Sequence, residues 1–159
     1  MEDDDEILAA VSASQGRRII AYVVQLALGA MLVYVAFSNT GGYVGSIALL
    51  VMGILILWTA ERLRRSTLTT IYLTAHELRD STGTVLARIE DVRAISRGVF
   101  AFKPSNGFSL VLDRSLGAVW APGMWWRIGR RVGVGGVTAA TAGKFMAERI
   151  AMLVEARDV

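Results

Sequence analysis

Hydrophobic and polar positions divide this chain into two parts with different periods. From Ile19 to Phe37, and again from Tyr43 to Ala60, the residues run apolar without a charge, and only Ser38–Gly42 separates the two stretches. At ~1.5 Å per residue they form helices of roughly 28 and 27 Å, close to the ~30 Å hydrocarbon core of a bilayer. The pattern predicts a transmembrane helical hairpin, preceded by an acidic, disordered cytoplasmic tail over residues 1–16 and bounded by basic flanks, so that the hairpin unit spans 17–65. Past Arg65 the pattern becomes short segments with strand character.

Within residues 66–159, Thr67–Thr74 is rich in β-branched residues, which favour strands. Glu77–Arg79 and Val85–Ile89 flank Asp80-Ser81-Thr82-Gly83, a hairpin turn signal. Val92–Arg97 and Val99–Lys103 read as further strands. Asn106-Gly107 is a strong turn signal because both residues tolerate positive φ. Phe108–Leu112 alternates apolar and polar positions, Asp113–Gly117 reads as another turn, and Ala118–Ala121 reads as a strand ended by Pro122-Gly123. From Thr138 to Ala156 the period becomes helical: Phe145, Met146, Ile150, Leu153 and Val154 share a face, with Lys144, Glu148 and Glu155 opposite. Thr138 or Thr141 would cap this helix. The fold class is α+β: a helical hairpin followed by a small antiparallel β-barrel or sheet closed by a C-terminal helix over 138–156.

Charge then sets orientation. The net charge is +3, but residues 2–6 are all acidic, whereas residues 66–159 hold twelve Lys/Arg against eight Asp/Glu. The hairpin loop is uncharged, while Arg17 and Arg18 precede the first apolar run and Arg62, Arg64 and Arg65 follow the second. Basic flanks stay on the cytoplasmic side, so both termini are expected there. A secretory leader is a poorer reading, since the apolar run is long, the N-terminus is acidic and no small-residue cleavage site follows. The chain has no cysteine, which excludes disulfides and thiolate chemistry.

The order of helical hairpin, basic flank, Leu68-Thr69-Thr70-Ile71-Tyr72-Leu73-Thr74 strand, Ile89-Glu90-Asp91-Val92 strand start, glycine-rich last strand (127–136) and closing helix resembles membrane-anchored bacterial proteins with a pleckstrin-homology-like (PH-like) domain. The resemblance covers roughly residues 15–156. It implies a module of the lipid- and peptide-binding kind, at the inner membrane, and supports fold more than function.

Candidate sites follow from residue chemistry. Arg127, Arg130 and Arg131, among glycines before a helix start, could hold a phosphate or lipid headgroup; the competing reading is a glycine-rich strand against which the helix packs. Trp125 and Trp126, with Trp58, suit a membrane interface or a partner surface, unless one ring of the pair fills the core. Gln25 is the one strongly polar residue inside the first run. With position 19 at the depth of 60, it falls near residue 54, beside Gly53 and one turn from Gly29, a small-residue contact of the kind that packs helices in membranes.

No metal or cofactor is expected. His76 stands without a second His or a Cys and reads as a solvated turn residue, and Glu90 and Asp91, as strand neighbours, would point to opposite faces. The dinucleotide and P-loop patterns fail at Thr138 and Phe145. A non-enzymatic binding or scaffolding role is therefore expected, with membrane lipids and a membrane protein or a second copy as partners, and no nucleic acid. The alternative is an accessory or assembly subunit of a larger membrane complex, docked through its helices. A pore or carrier is disfavoured because the spans carry no ionisable residue.

Overall fold

The structure, a computed structural model, describes residues 6–38, 42–96 and 107–158. The strand expected over Val99–Lys103, Asn106 of the Asn106-Gly107 turn and most of the acidic cluster lie outside the described residues. Strand β1 (Ala9–Ser12) leads into helix α1 (Gln15–Ser38), which is followed by α2 (Tyr43–Ser66). Strands β2 (Thr70–Leu73), β3 (Glu77–Asp80) and β4 (Val85–Arg88) come next, then a 3₁₀ turn over Ile89–Asp91. Strands β5 (Val92–Ser96), β6 (Phe108–Ala121) and β7 (Trp125–Val134) precede α3 (Ala140–Arg157).

Helices α1 and α2 are long and apolar enough to cross a membrane. They lie against each other, yet only Gly29 and Ala36 of α1 and Gly53, Ala60 and Leu63 of α2 are buried. Each helix overruns its apolar stretch, α2 by the polar turns Glu61–Ser66. There Arg64 and Arg65 both bond Glu61, at 2.8 and 2.7 Å, an i, i+3 and i, i+4 arrangement that suits a helix end.

The strands form two antiparallel sheets, in the orders β1-β2-β3-β4 and β5-β6-β7, and the described residues contain no closed barrel. The segment Ala9–Ser12, expected as part of a disordered tail, is instead an edge strand. Alternation explains it: Ala9 and Val11 are buried while Ala10 and Ser12 face out, and Ala9↔Leu73 through Ser12↔Thr70 are in register. The membrane-length hairpin is thus inserted between two strands that are neighbours in one sheet.

The β3–β4 turn forms as its residues predict. Asp80 Oδ1 accepts from Thr82 N at 2.9 Å and Thr84 N at 3.0 Å, and Gly83 takes φ +86°, a side-chain-stabilised turn finished by the residue with no Cβ penalty. Asp113–Gly117, expected as a turn, lies inside the fourteen-residue β6. The β6–β7 register slips between Val111 and Leu116 and again between Leu116 and Val119, with Gly129 at φ +60° opposite Leu116. The polar run is absorbed as bulges that bend the pair and do not reverse the chain.

Helix α3 packs Met146, Ala147 and Ile150 onto a core that includes Val11, Ile71, Leu73, Phe108, Leu110, Trp125 and Val132. Two expectations for it change. Phe145, placed on the apolar face, is 46% exposed beneath the Arg149 guanidinium. Neither threonine caps it: Ala139 is the N-cap and makes no side-chain bond, because Thr138 is fully buried, bridged to Ala13 on the β1 side.

Candidate functional site

The helices and the sheets meet at one junction, tied from both chain directions. On the α1 side, Ser14 N donates to Val137 O at 2.8 Å and Arg17 Nη1 to Thr138 O at 3.3 Å. On the α2 side, Ser66 Oγ donates to Pro122 O at 2.5 Å. Buried Thr67 closes the helix, its Oγ1 bonding Leu63 O at 2.8 Å. The β6–β7 turn fits under this end because Gly123 takes φ +77°, and a Cβ there would lie 2.5 Å from Leu63 Cδ1.

A groove of ≈ 570 Å³ runs along this junction, between α2 and the tips of the sheets. Trp58, Arg62, Arg65 and Ser66 line it from the helix, Thr69 from just past the helix end, Trp120 and Pro122 from the end of β6, and Asp80 and Thr82 from the β3–β4 turn. Trp58 and Trp120 are each 52% exposed, and the Arg62 guanidinium lies 4.9 Å from the Trp58 ring centre. Trp120 has no distinguishing motif; it stands out only once β6 is known to end at the helix root.

The expected site residues separate. Arg127 is a structural clamp: its Nε donates to Gly117 O at 2.9 Å, and its Nη1 to Val85 O at 2.5 Å and Leu86 O at 3.4 Å. Arg130 and Arg131 are exposed on β7, and no hydrogen bond or ion pair engages their guanidinium groups among the described residues. Trp125, expected as an interface anchor, is a core residue at 2% exposure. Strand alternation turns it inward while its neighbour faces out. Trp126 is half-buried over Gly133, where a Cβ would meet its ring at 2.5 Å. In the hairpin, Gly29 and Gly53 face each other: a Cβ on Gly53 would lie 3.1 Å from Gly29 O. Gln25 Oε1 is shielded nearby on the same helix, with no hydrogen-bond partner among the described residues.

A second polar cluster surrounds the 3₁₀ turn. Glu90 and Asp91 lie on that turn and not on a strand, which lets one arginine reach both: Arg114 is 2.7 Å from Asp91 Oδ2 and 3.3 Å from Glu90 Oε1. The Asp91 carboxylate hydrogen-bonded to Arg114 holds that guanidinium's pKa above its usual value. Arg157 Nη1 donates to the carbonyls of Ile89, Glu90 and Val92 at 2.9, 2.9 and 3.0 Å, so these charges fasten α3 to the turn. His76 is exposed between β2 and β3, and its carbonyl accepts from Ile89 N at 2.8 Å. Among the described residues no group of three His, Asp or Glu is placed to hold a metal ion.

Compared with protein-family models, with curated proteins and with solved structures, the chain matches none.

Proposed function

We propose that this chain is a membrane-anchored binding or scaffolding protein whose PH-like β domain sits on the cytoplasmic face of a bacterial inner membrane. One observation carries the reading: the apolar hairpin is inserted between β1 and β2, which are hydrogen-bonded neighbours. A domain fastened to both helix roots stays within headgroup reach of any bilayer the helices cross. Its exposed Arg130 and Arg131 suit an anionic lipid face or an acidic partner segment. Binding is the role we assign.

A second reading is an accessory subunit docked through its helices, whose apolar faces are largely uncovered: Val23, Val24, Met52 and Leu55 are each more than half exposed. In a bilayer such faces meet lipid or the helices of another subunit.

The natural absence of cysteine makes topology testable with single reporters. In cells producing the full chain, Tyr43→Cys at the hairpin loop should react with a membrane-impermeant maleimide added outside, and Ser115→Cys on β6 should react only after the membrane is opened. Reaction of Ser115→Cys in intact cells would overturn the cytoplasmic placement. Recovery of the protein in the supernatant after alkaline washing of membranes would overturn the anchor itself.

A further inference from the structure

Trp58 and Arg62 are four apart on α2, and Arg65 and Ser66 follow Arg62 by three and four, so these side chains share one stripe of the helix, with Thr69 just past its end. The same stripe continues away from the sheets through Leu55, Ile54 and Val51, all about half exposed. An aromatic and basic groove therefore opens onto an apolar track. The acids of the groove are already engaged: Glu61 by Arg64 and Arg65, and Asp80 by Thr82 and Thr84. Its hydroxyls are engaged as well, Ser66 Oγ donating to Pro122 O, Thr69 Oγ1 to Ser66 O and Thr82 Oγ1 to Asp80 Oδ1. Arg62 differs. Among the described residues no carboxylate pairs with it, and its one partner is the Trp58 ring.

We propose that this groove holds the headgroup of a membrane phospholipid, its phosphate on Arg62 and its glycerol ester region between the Trp58 and Trp120 rings. The proposal rests on the reading that the hairpin crosses a bilayer, since the groove then begins where the charges of α2 begin, at headgroup depth. Guanidinium is weakly hydrated and pairs with phosphate through parallel N–H donors. Indole rings settle at the apolar–polar boundary. A phospholipid satisfies both groups and also covers the Val51–Leu55 track with an acyl chain. Free phosphate would use Arg62 alone and leave the track and the second ring without a role.

The test uses the full-length chain purified from membranes in mild detergent, with retained lipid read by native mass spectrometry. The wild type should carry a bound phospholipid that a large excess of inorganic phosphate does not displace. Arg62→Gln should lower its retention about tenfold, the scale of a lost charged hydrogen bond. Arg149→Gln, which removes an arginine lying 5.2 Å over Phe145 on α3, should retain lipid like the wild type. Equal retention by Arg62→Gln and wild type, no lipid on either, or displacement by inorganic phosphate would each overturn the proposal. Flotation of the same protein with phosphatidylglycerol–phosphatidylcholine vesicles separates the two levels. A chain that does not float removes the membrane reading along with the groove, whereas one that floats while Arg62→Gln keeps its lipid removes the groove alone.

Discussion

Arg127 on β7 donates to the Val85 carbonyl on β4 at 2.5 Å, and this contact joins two sheets that share no backbone ladder among the described residues. The same side chain also reaches Leu86 O and Gly117 O, so one guanidinium satisfies three carbonyls at the seam. Replacing it with Met leaves those acceptors without their donor in a partly buried place. Loss of charged hydrogen bonds of this kind costs about 2 kcal/mol. Arg127→Met should lower the urea midpoint of the full-length protein in detergent accordingly. Arg127→Lys should recover little of it, because an ammonium lacks the fork that spans separate carbonyls. A midpoint equal to wild type in Arg127→Met would show that the seam holds without the clamp.

Gly29 and Gly53 make a different kind of close approach, between two helix backbones. A Cβ at Gly29 would press mainly on the Leu57 side chain, at 2.8 Å, which can rotate away. A Cβ at Gly53 would meet Val33 N and Gly29 O, both at 3.1 Å, and backbone does not yield so readily. Alanine gains about 1 kcal/mol of helix propensity over glycine, while overpacking costs about 1–3 kcal/mol. Gly29→Ala should therefore be near neutral and Gly53→Ala destabilising, read as the sodium dodecyl sulfate fraction that unfolds the protein in mixed micelles. The reverse order would mean that the helices do not pack on these glycines.

Much of this architecture is legible from local pattern, and the parts that are not depend on distant partners. The apolar runs reveal α1 and α2 because nothing but length and hydrophobicity is needed. The Asp80–Gly83 turn is equally local. By contrast, Ala9–Ser12 becomes a strand only because Ile71 lies alongside it across the whole hairpin, a relationship that four residues cannot announce. The polar run after Leu112 looks like a turn, yet β7 supplies Gly129 opposite it and turns the run into a bulge. Among the site residues, Arg127 has the composition of an anion ligand and is claimed by carbonyls of its own fold. Trp120, between the apolar Val119 and Ala121, acquires meaning from the helix root it faces.

Arg157 illustrates how a terminal charge fastens a closing helix. Its Nη1 donates to three carbonyls around Ile89–Val92, where the 3₁₀ turn leaves backbone acceptors pointing outward. Arg157→Gln should loosen the last turn of α3 from that site, raising amide exchange over 153–157 by about tenfold, as expected for ~1.4 kcal/mol of local stability. Exchange at core strands β6 and β7 should stay as in the wild type. Uniform protection across α3 in the variant would show that the apolar contacts of Met146 and Ile150 suffice.

The insertion of the hairpin between β1 and β2 has the widest consequence, because it makes the β domain discontinuous in sequence. Val11 is fully buried, and β1 is held to the rest by its ladder to β2, by Leu8 N to Leu73 O at 2.8 Å and by Ser14 N to Val137 O at 2.8 Å. It also packs against α3, so removing it uncovers both a sheet edge and the inner face of the closing helix. Val11→Ala should cost about 2 kcal/mol through the lost methyl groups and the cavity left behind, and Val11→Asp considerably more through a buried carboxylate. Residues 66–159 produced alone should bind hydrophobic dyes and unfold without a sharp transition, since one strand and two helix anchors are missing. A peptide of residues 6–14 added to that fragment should restore part of the cooperativity by taking the vacant edge. If the fragment alone unfolds with the midpoint of the full chain, β1 is an ornament of the sheet and the hairpin is merely appended to a domain that folds without it.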